Sequence, residues 1–143
     1  MDDMRFSDIE MALASGYRAA LYCRLSKDDD QEMESASIAN QRAMLQQYCA
    51  KNGWEVVAVY QDDGYTGLNM DRPGLKKMLH AIEKGIVNLV ITKDLSRLGR
   101  NYLETGRLME DFFPRHGVRY IAMNDGIDTL RENNEIAPFK NIL

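Results

Sequence analysis

A chain of 143 residues is about one domain long, enough for a single core that buries roughly two-thirds of the unfolded surface. Its 45% hydrophobic and 28% charged residues suit an ordinary globular protein. No apolar run approaches the roughly twenty residues that span a bilayer, and the amino end Met1-Asp2-Asp3-Met4-Arg5 is too acidic for a signal peptide, so the expectation is a cytoplasmic protein with no membrane partner.

Residues 1–16 read as a leader before the first apolar run, Arg18 to Leu25, which has the look of a buried strand. That run ends in Tyr22-Cys23-Arg24-Leu25-Ser26, and side chains two apart on a strand share a face, which puts Arg24 and Ser26 on the same side. Asp28-Asp29-Asp30 follows; consecutive carboxylates point in different directions and read as a solvated loop rather than a Mg²⁺ site. Ile38, Gln41, Leu45 and Tyr48 share one face of a helix that Asn52-Gly53 terminates.

Trp54 to Tyr60 is the second predicted strand. The loop Asp62-Asp63-Gly64-Tyr65-Thr66-Gly67 after it is too sparse in glycine for a Walker-type phosphate loop, and its glycines suggest mobility. Asp71 is placed to cap a second helix, with Pro73 in its first turn, Leu75, Met78, Leu79 and Ile82 as its core stripe and Gly85 as its stop. Leu89 to Thr92 is the third strand and runs into Lys93-Asp94-Leu95-Ser96-Arg97-Leu98-Gly99-Arg100; Arg97 and Arg100 fall together if this segment is helical. Tyr102, Gly106, Met109 and Phe113 give a third core stripe, Gly117 a stop, and Val118 to Met123 a fourth strand. Residues 131–143 read as the start of a connecting helix cut off at Leu143, with 17–130 as the domain proper.

Alternating strands and helices imply right-handed crossovers and an α/β, doubly wound, mostly parallel sheet of about four to five strands with helices on both faces. Ligands in such folds bind beyond the carboxyl ends of the strands, and Ser26, the Asp62 to Gly67 loop and Ser96-Arg97 all follow such ends. A serine beside arginines, with no histidine in either motif, points to phosphate chemistry, because guanidinium donors are forked and charged at any working pH. His80 and His116 read as structural, and Cys23 and Cys49 as small buried hydrophobes, since their spacing offers neither a disulfide framework nor a zinc site. No cofactor or metal is expected.

Four motifs in order carry a resemblance: Tyr22-x-Arg24-x-Ser26, Ser37-Ile38-x-x-Gln41, Asp71-Arg72-Pro73-Gly74-Leu75 and Leu95-x-Arg97-Leu98-Gly99-Arg100. The chain resembles the catalytic domain of the serine recombinases, the resolvase and invertase family, over roughly residues 17–130, and within it the large serine recombinases and transposases of mobile elements. The resemblance implies that Ser26 attacks a DNA phosphodiester to give a 5′-phosphoserine linkage. It implies also that Arg24, Arg72, Arg97 and Arg100 bind the phosphate, that Gln41 orients groups behind them, and that neither metal nor ATP is needed. It implies a homodimer that assembles to a tetramer on DNA. Departures are Ser96, where the family often has aspartate, Asn88, where an acidic residue is common, and Glu83-Lys84 near a frequent lysine.

Charge qualifies this reading. The net charge is −4; residues 1–34 carry a balance of −5, the rest +1, and the segment from Lys93 to Arg119 only +2. Most affinity for DNA is therefore expected from domains missing from this chain. Two other readings of the residues stand beside the first: a non-catalytic oligomerisation module, and a flavodoxin-like binder of phosphate or nucleotide.

Overall fold

A computed structural model describes residues 16–26 and 37–131. The predicted leader and connecting helix, apart from Gly16 and Arg131, and the run Asp28-Asp29-Asp30 lie outside the described residues.

Four strands, β1 (Arg18–Leu25), β2 (Glu55–Asp63), β3 (Leu89–Thr92) and β4 (Arg119–Ala122), pair in parallel, and β5 (Ile127–Asp128) adds an antiparallel edge to β4. The order β2-β1-β3-β4-β5 puts β1 inside the sheet, between β2 and β3. From β1 the chain first winds outward to β2 and then crosses back to β3, so the sheet changes direction between β1 and β3, where α/β sheets open a crevice at their carboxyl ends.

Both faces of β1 are buried, in keeping with its near-continuous apolar sequence. Ala19, Leu21 and Cys23 pack with Leu89, Ile91 and Ile121 against Leu45 and Cys49 of helix α1 (Ile38–Asn52). Ala20 and Tyr22 face the other way, onto Leu75, Met78 and Ile82 of helix α2 (Pro73–Glu83) and onto Phe113 and Tyr120. Each large apolar side chain buried in these layers contributes about 1.5–3 kcal/mol. Ser37 caps α1 by accepting the Asn40 N–H at 3.1 Å, and Gly53 closes it at φ 73°, a conformation glycine adopts without strain. Cys23 and Cys49 are buried as expected, and burial pushes both thiols up to about 11.

After β3 come the short helix α3 (Leu95–Leu98) and then α4 (Tyr102–Arg107), which runs through a π-helical turn (Leu108–Phe112) into α5 (Phe113–Arg115). The π turn sits just before Pro114, which has no N–H to give, and the Phe113 N–H reaches back to the Leu108 oxygen.

Three sequence expectations are corrected here. Asp71 does not cap α2: its carboxylate pairs with Lys76 at 2.8 Å on the surface, and the cap comes from Asp62. Tyr102 is not core, at 57% exposure, because it is the first residue of α4 and lies on the helix's outer side. Arg97 and Arg100 do not share a helix face, because α3 ends at Leu98 and Gly99 is extended at φ 175°.

Candidate active site

The carboxyl ends of β1, β2 and β3 hold most of the predicted site in one network. Arg24, at the end of β1, is wholly buried. Its guanidinium donates to three main-chain oxygens across the crevice: Nε to Arg97 at 3.2 Å, Nη1 to Tyr65 at 3.1 Å and Nη2 to Ser96 at 2.5 Å. Burying an ion costs several kcal/mol unless its hydrogen bonds are replaced, and these three carbonyls replace them.

The backbone of Arg24 is held as firmly. Gln41, buried on α1, accepts the Arg24 N–H on Oε1 at 3.1 Å and returns its Nε2–H to the Arg24 carbonyl at 2.9 Å. A side-chain amide thus plays the part of a neighbouring strand at the point where β1 needs one. Arg97 Nη1 donates to the same carbonyl at 3.2 Å, which ties the two arginine motifs together. Gln41 therefore supports Arg24 from behind, and Arg97, 7% exposed, also faces the Asp94 carboxylate, Nε to Oδ2, at 3.7 Å.

Arg72 arrives from the opposite side. It stands at the N-cap of α2 with 1% exposure, and donates from Nε to the Asn69 oxygen at 3.0 Å, from Nη2 to the Leu98 oxygen at 2.8 Å and from Nη1 to the Tyr22 hydroxyl at 3.0 Å. The Tyr22 hydroxyl in turn donates to Asp62 Oδ2 at 2.6 Å. Burial pushes that hydroxyl well above its ordinary value, against the opposing pull of Arg72, so it stays a neutral donor. Asp62 takes two more donors, the Gly74 N–H at 2.7 Å and the Leu75 N–H at 2.9 Å, in the first turn of α2, where a carboxylate is favoured by the exposed amides and the helix dipole.

Ser26 follows β1 on the same rim and is 2% exposed. Arg100 is exposed, yet the chain brings it to the crevice: its N–H donates to the Gly67 oxygen at 2.7 Å. Gly67 has a steric reason beyond the mobility read from its sequence. A Cβ there would lie 2.8 Å from Arg24 Nη2 and 3.1 Å from Arg100 Cγ, so only glycine lets the loop pass between the two arginines. Gly99 is needed in the same way, since a Cβ at that position would collide with Thr105 Oγ1.

The structure thus brings Arg24, Arg72, Arg97 and Gln41 into direct contact through each other's backbone, with Ser26 on the same rim and Arg100 at its edge. Sequence reasoning left out Tyr22 and Asp62 as site residues. Tyr22 had a signal in its period-two spacing from Arg24 on β1; Asp62 had its place on the same rim, but its three donors could not be read from the sequence. Among the described residues there is no group of three or more His, Cys, Asp or Glu placed to hold a metal ion, and no helix long and apolar enough to cross a membrane. His80 is exposed on α2, and His116 bonds through Nδ1 to the Phe112 oxygen at 2.8 Å, both away from this rim.

The model of the resolvase N-terminal domain matches residues 19–139. The chain belongs to this family. Among solved structures, the N-terminal catalytic domain of TP901-1 integrase is similar at a TM-score of 0.75 with 27% identity, covering 87% of this chain and 90% of that one. A resolvase family site-specific recombinase from Streptococcus pneumoniae is similar at a TM-score of 0.72 with 26% identity over 88% of this chain and 85% of its own. A putative DNA recombinase of Bacillus subtilis (strain 168) is 28% identical over 105 residues, 73% of this chain but 20% of the relative's length. The resolvase-type sheet expected from the sequence is the one observed, five-stranded and mostly parallel.

Proposed function

We propose that this resolvase-family domain, taken as residues 17–130, is the catalytic domain of a site-specific DNA recombinase with Ser26 as its nucleophile. The observation that carries the reading is the network at the switch point of the sheet: three buried guanidiniums, Arg24, Arg72 and Arg97, gathered on the rim where Ser26 leaves β1. Phosphate needs clustered, preorganised cationic donors, and an oligomerisation module has no need to pay the desolvation of three arginines.

In this reading the Ser26 oxygen bonds to the scissile phosphorus as the bond from phosphorus to the 3′ oxygen breaks, leaving a 5′-phosphoserine and, once protonated, a free 3′ hydroxyl. Religation is the reverse attack. Storage of the bond energy in the protein–DNA linkage removes any need for ATP, and the arginines supply the charge that a metal would otherwise bring. Arg24, Arg72 and Arg97, with Arg100 at the edge, stabilise the charge that builds on the phosphate oxygens; Gln41 keeps Arg24 in place. The chain's balance of −4 leaves the search for a site to other parts of the protein, and the catalytic unit on DNA is a homodimer that assembles to a tetramer.

The test is incubation of the full-length protein with DNA carrying its recombination site. A covalent protein–DNA adduct is expected from the parent and none from Ser26→Ala; an adduct that persists in the variant removes Ser26 from the role.

A further inference from the structure

Aspartate is a favoured N-cap because its carboxylate accepts the first N–H groups of the helix behind it. Asp94 stands at the N-cap of α3 and makes no such bond. The Leu95 N–H goes instead to Asp125 Oδ2 at 2.6 Å, a carboxylate delivered by the 3₁₀ turn after β4 (Met123–Asp125). A second aspartate thus serves the start of α3, while the Asp94 carboxylate is turned to other partners.

Those partners are Ser96 and Arg97. Asp94 Oδ1 accepts the Ser96 hydroxyl at 2.5 Å, and Oδ2 lies 3.7 Å from Arg97 Nε. The backbone is fixed independently, since the Asp94 carbonyl accepts Thr92 Oγ1 at 2.8 Å, and that hydroxyl also meets the Tyr120 hydroxyl at 2.6 Å. Ser96 and Arg97 both give their main-chain oxygens to Arg24. One carboxylate therefore holds Ser96 by a hydrogen bond and faces Arg97 in a longer ion pair, the two residues whose backbone holds the central arginine of the crevice.

We propose that Asp94 is a positioning residue of the phosphate site, which acts through Ser96 and Arg97 and supplies the carboxylate charge that aims the Arg97 guanidinium. This rests on the recombinase reading above. Asp94 and Ser96 work as one unit: the Ser96 oxygen lies within 2.5 Å of the Asp94 carboxylate, so a carboxylate carried by residue 96 itself would put its charge in nearly the same place beside Arg97. A merely structural aspartate makes no such prediction.

The experiment measures the rate of covalent adduct formation and the DNA affinity of the full-length protein on a duplex carrying its recombination site. Asp94→Asn should slow the adduct by roughly 10²-fold, the size of losing one preorganised interaction with developing charge, with DNA affinity within about threefold. The fold should survive, because Asp125 keeps the Leu95 N–H and the Asp94 carbonyl keeps its Thr92 bond. Adding Ser96→Asp to Asp94→Asn should recover most of the lost rate. An Asp94→Asn rate within about twofold of the parent would overturn the inference, as would a folded double variant that recovers nothing. Ser96→Ala gives a second reading in the same direction, and a full parental rate there would also overturn it. Ser26→Ala, run alongside, separates the two levels: an adduct that survives it sinks the recombinase reading and this inference together, while an adduct that needs Ser26 and ignores Asp94 sinks this inference alone.

Discussion

Arg119 at the amino end of the sheet and the buried arginines at its carboxyl end are held differently. At the amino end Arg119 meets Asp128 through two parallel bonds, Nε to Oδ1 at 2.9 Å and Nη2 to Oδ2 at 2.7 Å, and its guanidinium lies over the rings of Tyr17 at 5.3 Å and Trp54 at 5.1 Å. At the carboxyl end Arg24 and Arg72 donate to main-chain carbonyls and a phenol, and Arg97 sits in a loose pair with Asp94. Forked pairing with a carboxylate is among the strongest bonds a guanidinium makes, whereas an uncharged oxygen can be exchanged for a charged one at a gain. The difference marks Arg119 as a fastening and the buried carboxyl-end arginines as a binding site.

Removing one arginine from each end breaks this comparison most sharply. Arg72→Ala should slow adduct formation by about 10²–10³-fold in the molecules that remain folded. Arg119→Ala should leave the rate per folded molecule unchanged and lower unfolding stability by about 1.5–3 kcal/mol, read by urea titration. Equal rate losses would show that the two ends are not functionally distinct. Gln41→Ala comes next: it strands the Arg24 N–H in the core and should lower stability by about 1–3 kcal/mol, with a loss of rate as Arg24 loosens. Gly67→Ala sharpens the same point from the other side of Arg24, where the added Cβ forces the loop or the guanidinium to move; about 1–3 kcal/mol of stability and part of the activity should go together.

The smallest expected effect is that of acid on the amino end. Burial pushes the Asp128 carboxyl up, but the bonds from Arg119 and from the Leu130 N–H, with the Arg119 charge, outweigh it and hold the group below the ordinary carboxylate value. A lowered folded-state value means that the pair stabilises the fold above the unfolded pKa of about 3.9 and stops doing so as pH falls through and below it. Asp128→Asn should flatten the loss of stability with falling pH below about 4 relative to the parent.

Strands and helices were legible in this sequence because their apolar residues recur at the periods their geometry demands, and β1 and α2 are where expected. The ends of elements were harder to read for a physical reason. β2 runs on to Asp63, past the last apolar residue at Tyr60, because its polar end is paired in register with the end of β1, Asp62 opposite Arg24. A buried aspartate in a strand reads as a loop until its three donors are known, and those come from Tyr22 and from α2, far apart in the chain. The arginines were visible as residue types, but how they are held was not, since their partners are mostly main-chain oxygens, which every residue carries.

That mode of holding has a consequence for how salt should act. An arginine that waits on the surface for DNA neutralises a phosphate and releases the cations condensed on it, and its contribution weakens steeply as salt rises. Arg24, Arg72 and Arg97 are buried on neutral oxygens of their own chain, so they pair with a phosphate only inside the crevice, where salt screens little. Their close contact with a phosphate is made only when it takes the place of those oxygens inside the crevice. Salt should therefore slow the encounter with DNA far more than the cleavage that follows it.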